Sequence, residues 1–102
     1  MTEHDFGPLF DQYPTIIAQM PETFNSHEFI LKLAQQHQPP YIEALYAYIS
    51  RPNNRHPTPF KIVHGILAKH LNAYGDMVRH AGETDSDDIF TQENRCAQWQ
   101  RI

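Results

Sequence analysis

Proline is the residue that most limits what this chain can build. Eight prolines, at positions 8, 14, 21, 39, 40, 52, 57 and 59, all fall within the first 59 of its 102 residues. Proline lacks a backbone N–H and its ring clashes with the preceding helical turn, so it is tolerated at helix starts and disfavoured in helix interiors. Any helix in this region must be short, and its ends should lie close to prolines.

Apolar spacing fills the segments between these breaks. Phe6, Leu9, Phe10 and Tyr13 recur at helical intervals, with Gly7 and Pro8 at a natural start and Pro14 ending or kinking the segment. Ile16, Ile17 and Met20 form a second short turn that Pro21 closes. The strongest start signal follows: Asn25 as N-cap and Glu28 three residues on make a capping box, and Phe24 and Phe29 make a hydrophobic staple across it. This predicts a helix from Ser26 to about His37 with Phe29, Ile30, Leu33 and Ala34 facing inward. Pro39-Pro40 starts the next helix, whose stripe is Tyr41, Leu45 and Tyr48 joined by Ile42 and Ile49, ending near Ser50 or Arg51.

Residues 51–58, Arg-Pro-Asn-Asn-Arg-His-Pro-Thr, read as a loop. Thr58 caps the longest predicted helix, Pro59 to about Tyr74, with Gly75 as its stop. Phe60, Val63, Leu67, Leu71 and Tyr74 form its stripe, widened by Ile66. This stripe is expected to lie against the Phe29–Leu33 and Leu45–Tyr48 faces, with the cations pointing outward. Gly65 inside it suggests a close approach of two helices. Beyond it, Met77 and Val78 continue a short element, 81–88 reads as a polar loop, and Ser86 or Asp85 is a candidate cap for a last segment. Ile89, Phe90, Ala97 and Trp99 are apolar anchors whose spacing fits neither helix nor strand. Strand signals are weak, because no stretch alternates well while rich in β-branched residues.

The expected fold is therefore all-α: a compact bundle of four to five helices, several short, with antiparallel neighbours. It spans residues 1–102 as a single helical domain, with 1–5 expected to be flexible. The chain's length suits one domain with a real core. Six Phe, five Tyr and one Trp make that core lean on aromatic rings.

Cys96 is the single cysteine, so no internal disulfide can form, which argues against a stapled secreted module. Met1–Asp5 lacks the basic start and apolar run of a signal peptide. No stretch approaches the roughly 20 apolar residues of a membrane helix. A cytoplasmic protein with no membrane partner is the resulting expectation.

Charge is distributed unevenly around a total of −4. Residues 1–50 carry six acids and one base, residues 51–80 carry five bases and one acid, and residues 81–102 carry five acids and two bases. The middle segment also holds four of the seven histidines: His56, His64, His70 and His80. Its cations, Arg51, Arg55, Lys61, Lys69 and Arg79, are the candidate residues for binding an anionic partner. The alternative is a solvated face opposite the chain's own acids.

Local signatures of chemistry are missing. No two histidines lie three or four apart, and there is no His-Glu-x-x-His or cysteine pair, so no metal or other cofactor is expected. Asp85-Ser86-Asp87-Asp88 fails as a calcium loop: Phe90 and Cys96 occupy the places of the required glycine and glutamate. There is no Gly-x-Ser-x-Gly elbow and no glycine-rich phosphate loop. A helix-turn-helix is disfavoured because its second helix would be Tyr-Ile-Glu-Ala-Leu-Tyr-Ala-Tyr-Ile, a core helix without a base. Tyr41, Tyr46, Tyr48 and Tyr74 read as core residues with hydroxyls at the surface.

What remains is a non-catalytic interaction or regulatory module, with an unidentified protein as the expected partner. Two alternatives stay open: a nucleic-acid-binding protein using residues 51–80, and an enzyme whose site is assembled only in three dimensions.

Overall fold

A computed structural model of the chain describes residues 5–48, 59–87 and 93–102. Its helices are α1 (Gly7–Phe10), α2 (Tyr13–Gln19), α3 (Ser26–Gln36), α4 (Gln38–Ala47) and α5 (Pro59–His70), the last continued by a 3-10 turn, Leu71–Tyr74. Three strands, β1 (Thr23–Asn25), β2 (Val78–Asp87) and β3 (Glu93–Arg101), form an antiparallel sheet in the order β1-β3-β2. The fold is thus mixed α/β, which overturns the all-α bundle.

The correction lies in the last quarter of the chain. Residues 81–88 were expected as a polar loop and Ser86 or Asp85 as a helix cap, yet 78–87 form β2. The stretch around Ala97 and Trp99, where the spacing of the apolar anchors fits neither helix nor strand, is β3. Its two-residue alternation is present but rests on Ala97 and Trp99 alone, set against Gln98 and Gln100. Only its C-terminal part pairs with the buried Phe24 of β1, opposite Trp99. Farther along the ribbon, Glu83 and Asp85 are exposed, so burial there demands no apolar pattern. The register slips by one residue between His80 and Glu83, where Gly82 adopts φ +106°. Ala81-Gly82 is a bulge in a strand rather than the start of a loop.

The helical framework follows the caps. Asn25 Oδ1 accepts from the Glu28 N–H at 2.9 Å, and the Asn25 N–H donates to Glu28 Oε1 at 2.8 Å. The Phe24 and Phe29 rings stack at 6.2 Å, completing the staple. Phe29, Ile30, Leu33 and Ala34 are buried, as their spacing predicts. Pro14 starts α2 rather than ending α1, since it lies in that helix's first turn. Asp5, expected in a flexible tail, accepts a 2.8 Å hydrogen bond from the Gly7 N–H.

On α4 the buried stripe is Tyr41, Ala44 and Tyr48, with Leu45 half-buried. Ile42 falls outside it and is 58% exposed, because one residue further along turns a helix by about 100°. On α5, Val63, Leu67 and Leu71 are fully buried, and the helix packs on α3 and α4. Phe60 is partly exposed at the start of that stripe. The α-helix tightens to 3-10 before Gly75, whose φ of −61° needs none of glycine's extra freedom. Residues 1–4, Ile49, Ser50, the expected loop at 51–58 with its expected Thr58 cap, and Ile89 and Phe90 lie outside the described residues.

Gly65 marks no close helix approach: it is exposed, and a Cβ there would meet nothing within 4 Å. Alanine restricts the unfolded chain and suits a helix interior better. Gly65→Ala is expected to stabilise the fold by about 0.5–1 kcal/mol, read as a higher midpoint in urea.

Candidate functional site

The last turn of α5 meets α1 in a nest of aromatic rings. Phe10, at the end of α1, stacks on His70 with centroids 3.5 Å apart and planes 9° from parallel. Tyr13 stands edge-on to both, 5.7 Å from Phe10 and 5.1 Å from His70. Tyr74 stacks on Tyr13 at 5.4 Å. These rings come from segments about 60 residues apart, so no local sequence pattern joins them.

Hydrogen bonds fix the same corner. Tyr13 donates its buried hydroxyl to the Leu67 carbonyl at 2.5 Å. The last carbonyls of a helix have no partner within it, and Asn72 Nδ2 donates to that of Lys69 at 3.0 Å. Tyr74 donates to the Phe10 carbonyl at 3.0 Å, tying the 3-10 turn to α1.

Beside this corner lies a depression of about 510 Å³, open to solvent and lined by Phe10, Ile66, Lys69, His70, Asn72 and Ala73. Its lining contains one ammonium, one imidazole and one amide, with no carboxylate, thiol or hydroxyl. Burial lowers the His70 pKa below its ordinary value, which favours the neutral imidazole. Below the unfolded-chain value of about 6.5 the unfolded state therefore binds more protons than the folded state. Stability should fall as pH drops through that value and on toward the folded pKa. His70→Phe should flatten this acid limb in urea melts at successive pH values. The effect is small, because the ring is partly solvated.

Of the five candidate cations, the described side chains place two, Lys69 and Arg79. Arg51 and Arg55 lie outside the described residues, as does the Lys61 side chain, although its backbone is in α5. Lys69 is exposed and lines the depression, and it forms no ion pair among the described residues. Arg79 is exposed on β2 and donates to Gln100 Oε1 on β3 at 2.8 Å. Sequence reasoning therefore found one residue of the depression and missed the others. His70 stands out in the sequence only as one of four histidines in the positive middle segment, Phe10 and Ile66 only by helix spacing, and Asn72 and Ala73 not at all.

Elsewhere, Tyr41 is hydrogen-bonded to His64 Nε2 at 2.5 Å, and burial pushes the Tyr41 pKa up to about 12. Of the four tyrosines read as core, Tyr46 departs, being 75% exposed. Cys96 is half-buried on β3, opposite Thr84. Among the described residues no helix is long and apolar enough to cross a membrane. Likewise, no three His, Cys, Asp or Glu side chains gather to hold a metal. Compared with known proteins, the chain matches no protein-family model, no curated sequence and no solved structure.

Proposed function

We propose that this chain is a non-catalytic binding or regulatory module whose contact point is the depression between α1 and the end of α5. The observation that carries the reading is the lining itself: a shallow, solvent-open and mostly apolar surface with few polar groups. That combination is typical of binding sites. Its walls are held by ring stacking and by the Tyr13, Asn72 and Tyr74 hydrogen bonds, so little ordering cost remains for a ligand. The lining also argues for binding over catalysis, since it lacks a hydroxyl, thiol or carboxylate to pair with His70.

A second reading, a protein partner, has its own support. Ile42 and Tyr46 stand one turn apart on α4 and are both well exposed. The nucleic-acid reading has less: among the described side chains it draws on Lys69 and on an Arg79 already bonded to Gln100.

An NMR titration of amide and methyl groups with N-phenyl-1-naphthylamine, a neutral aromatic probe, separates the first two readings. Shifts concentrated on Phe10, Ile66, His70 and Ala73 support the depression. Shifts centred on Ile42 and Tyr46 favour the α4 face and overturn it. Nucleic-acid binding would instead give retention on immobilised DNA that weakens steeply with salt.

A further inference from the structure

We infer that the depression takes a small ligand that joins an aromatic or branched apolar body to a carboxylate or similar anion, with Lys69 holding the acid group. The inference rests on the binding-module reading above and adds the chemistry of the occupant.

Size points to a small molecule. About 510 Å³ lies inside the roughly 300–1,000 Å³ of small-ligand sites. Phe10, Ile66 and Ala73 supply apolar wall, and the Phe10–His70 pair presents stacked rings that suit a flat or branched hydrocarbon body.

Charge selects the head group. Lys69 is the one lining residue with a permanent charge. The Tyr74 pKa is raised by burial and, to a lesser degree, by Asp11, whose carboxylate does not line the depression. The opposing influence is the C-terminal end of α5, equivalent to about half a negative charge. One of the carbonyls that make up that charge, that of Lys69, already accepts a side-chain hydrogen bond. A whole positive charge on a flexible arm outweighs what is left, so an anion is preferred over a cation. Asn72 adds amide hydrogen-bonding capacity at the same rim.

The test compares two probes that share a ring framework: N-phenyl-1-naphthylamine, which is neutral, and 1-anilinonaphthalene-8-sulfonate, which is anionic. Each is titrated by fluorescence into the full chain and into Lys69→Gln, with circular dichroism as a check that this exposed substitution leaves the fold intact. Lys69→Gln is expected to weaken the sulfonate about two- to fivefold, the scale of a solvent-exposed ion pair, and to leave the neutral probe unchanged. Added salt should weaken the sulfonate on the parent chain and have little effect on the variant. Equal responses of the two probes to Lys69→Gln, with NMR shifts still at Ile66 and Ala73, overturn the anionic ligand class and leave the binding site standing. No shift at those residues with either probe overturns both.

Discussion

Replacing Trp99 with alanine is expected to destabilise the protein by about 3–5 kcal/mol, the usual range for removing a large aromatic residue from a core. Trp99 is 3% exposed and sits on the central strand β3, opposite Phe24 of β1 and His80 of β2. His80 meets its ring edge-on at 5.3 Å. Its indole N–H donates to Ser26 Oγ at 3.0 Å, in the first turn of α3. One side chain thus couples all three strands to the helical layer. Domain stabilities are about 5–15 kcal/mol, so the loss is a large share of the total. Circular dichroism in urea is the suitable readout, because Trp99 is the chain's single tryptophan and the variant has no indole signal. A loss under about 0.5 kcal/mol, the scale of an ordinary surface substitution, would mean that β3 is not docked on the helices.

Tyr13→Phe is expected to cost about 0.5–1.5 kcal/mol, the net worth of one buried hydrogen bond, because the Leu67 carbonyl keeps its place in the helical ladder of α5. The phenylalanine ring keeps the contacts with Phe10, Phe29, His70 and Tyr74, so hydrocarbon burial hardly changes. Tyr74→Phe is the control. Its hydroxyl bonds the Phe10 carbonyl from a half-buried position where water can replace it, so a smaller loss is expected. Equal losses would show that the Leu67 carbonyl finds water once Tyr13 is cut back. Tyr13 also has a pKa raised by burial, with a further contribution from Tyr74. Above the unfolded-chain value of about 10 the unfolded state releases its tyrosine protons first, so stability should fall as pH rises there. Tyr13→Phe should soften that alkaline loss.

Local chemistry was legible wherever a few neighbouring residues decided the outcome. The Asn25–Glu28 box, the Phe24–Phe29 staple and the buried stripes of α3 and α5 depend on contacts within one or two helical turns, so their spacing carries the information. The strands were not legible for the opposite reason. Among the described side chains β2 contributes one buried residue, Val78, and β3 one, Trp99, and neither strand's sequence offers a run of alternating apolar positions. Their pairing is held by backbone hydrogen bonds, which carry no sequence signature. The bulge at Gly82 also breaks what periodicity remains. The depression was hidden by distance, since Phe10 and His70 meet only after α1 folds back on the end of α5.

From its residue order alone the chain determined where α3 and α5 begin, which of their faces turn inward, and that Lys69 would stand in solvent. Tertiary structure alone decided that the C-terminal quarter pairs as a ribbon, that Trp99 locks it to Ser26, and that Phe10 and His70 stack into a wall. The division has one physical cause. Caps and stripes arise from interactions a few residues apart, whereas sheet order and concave surfaces arise from contacts whose partners lie tens of residues away.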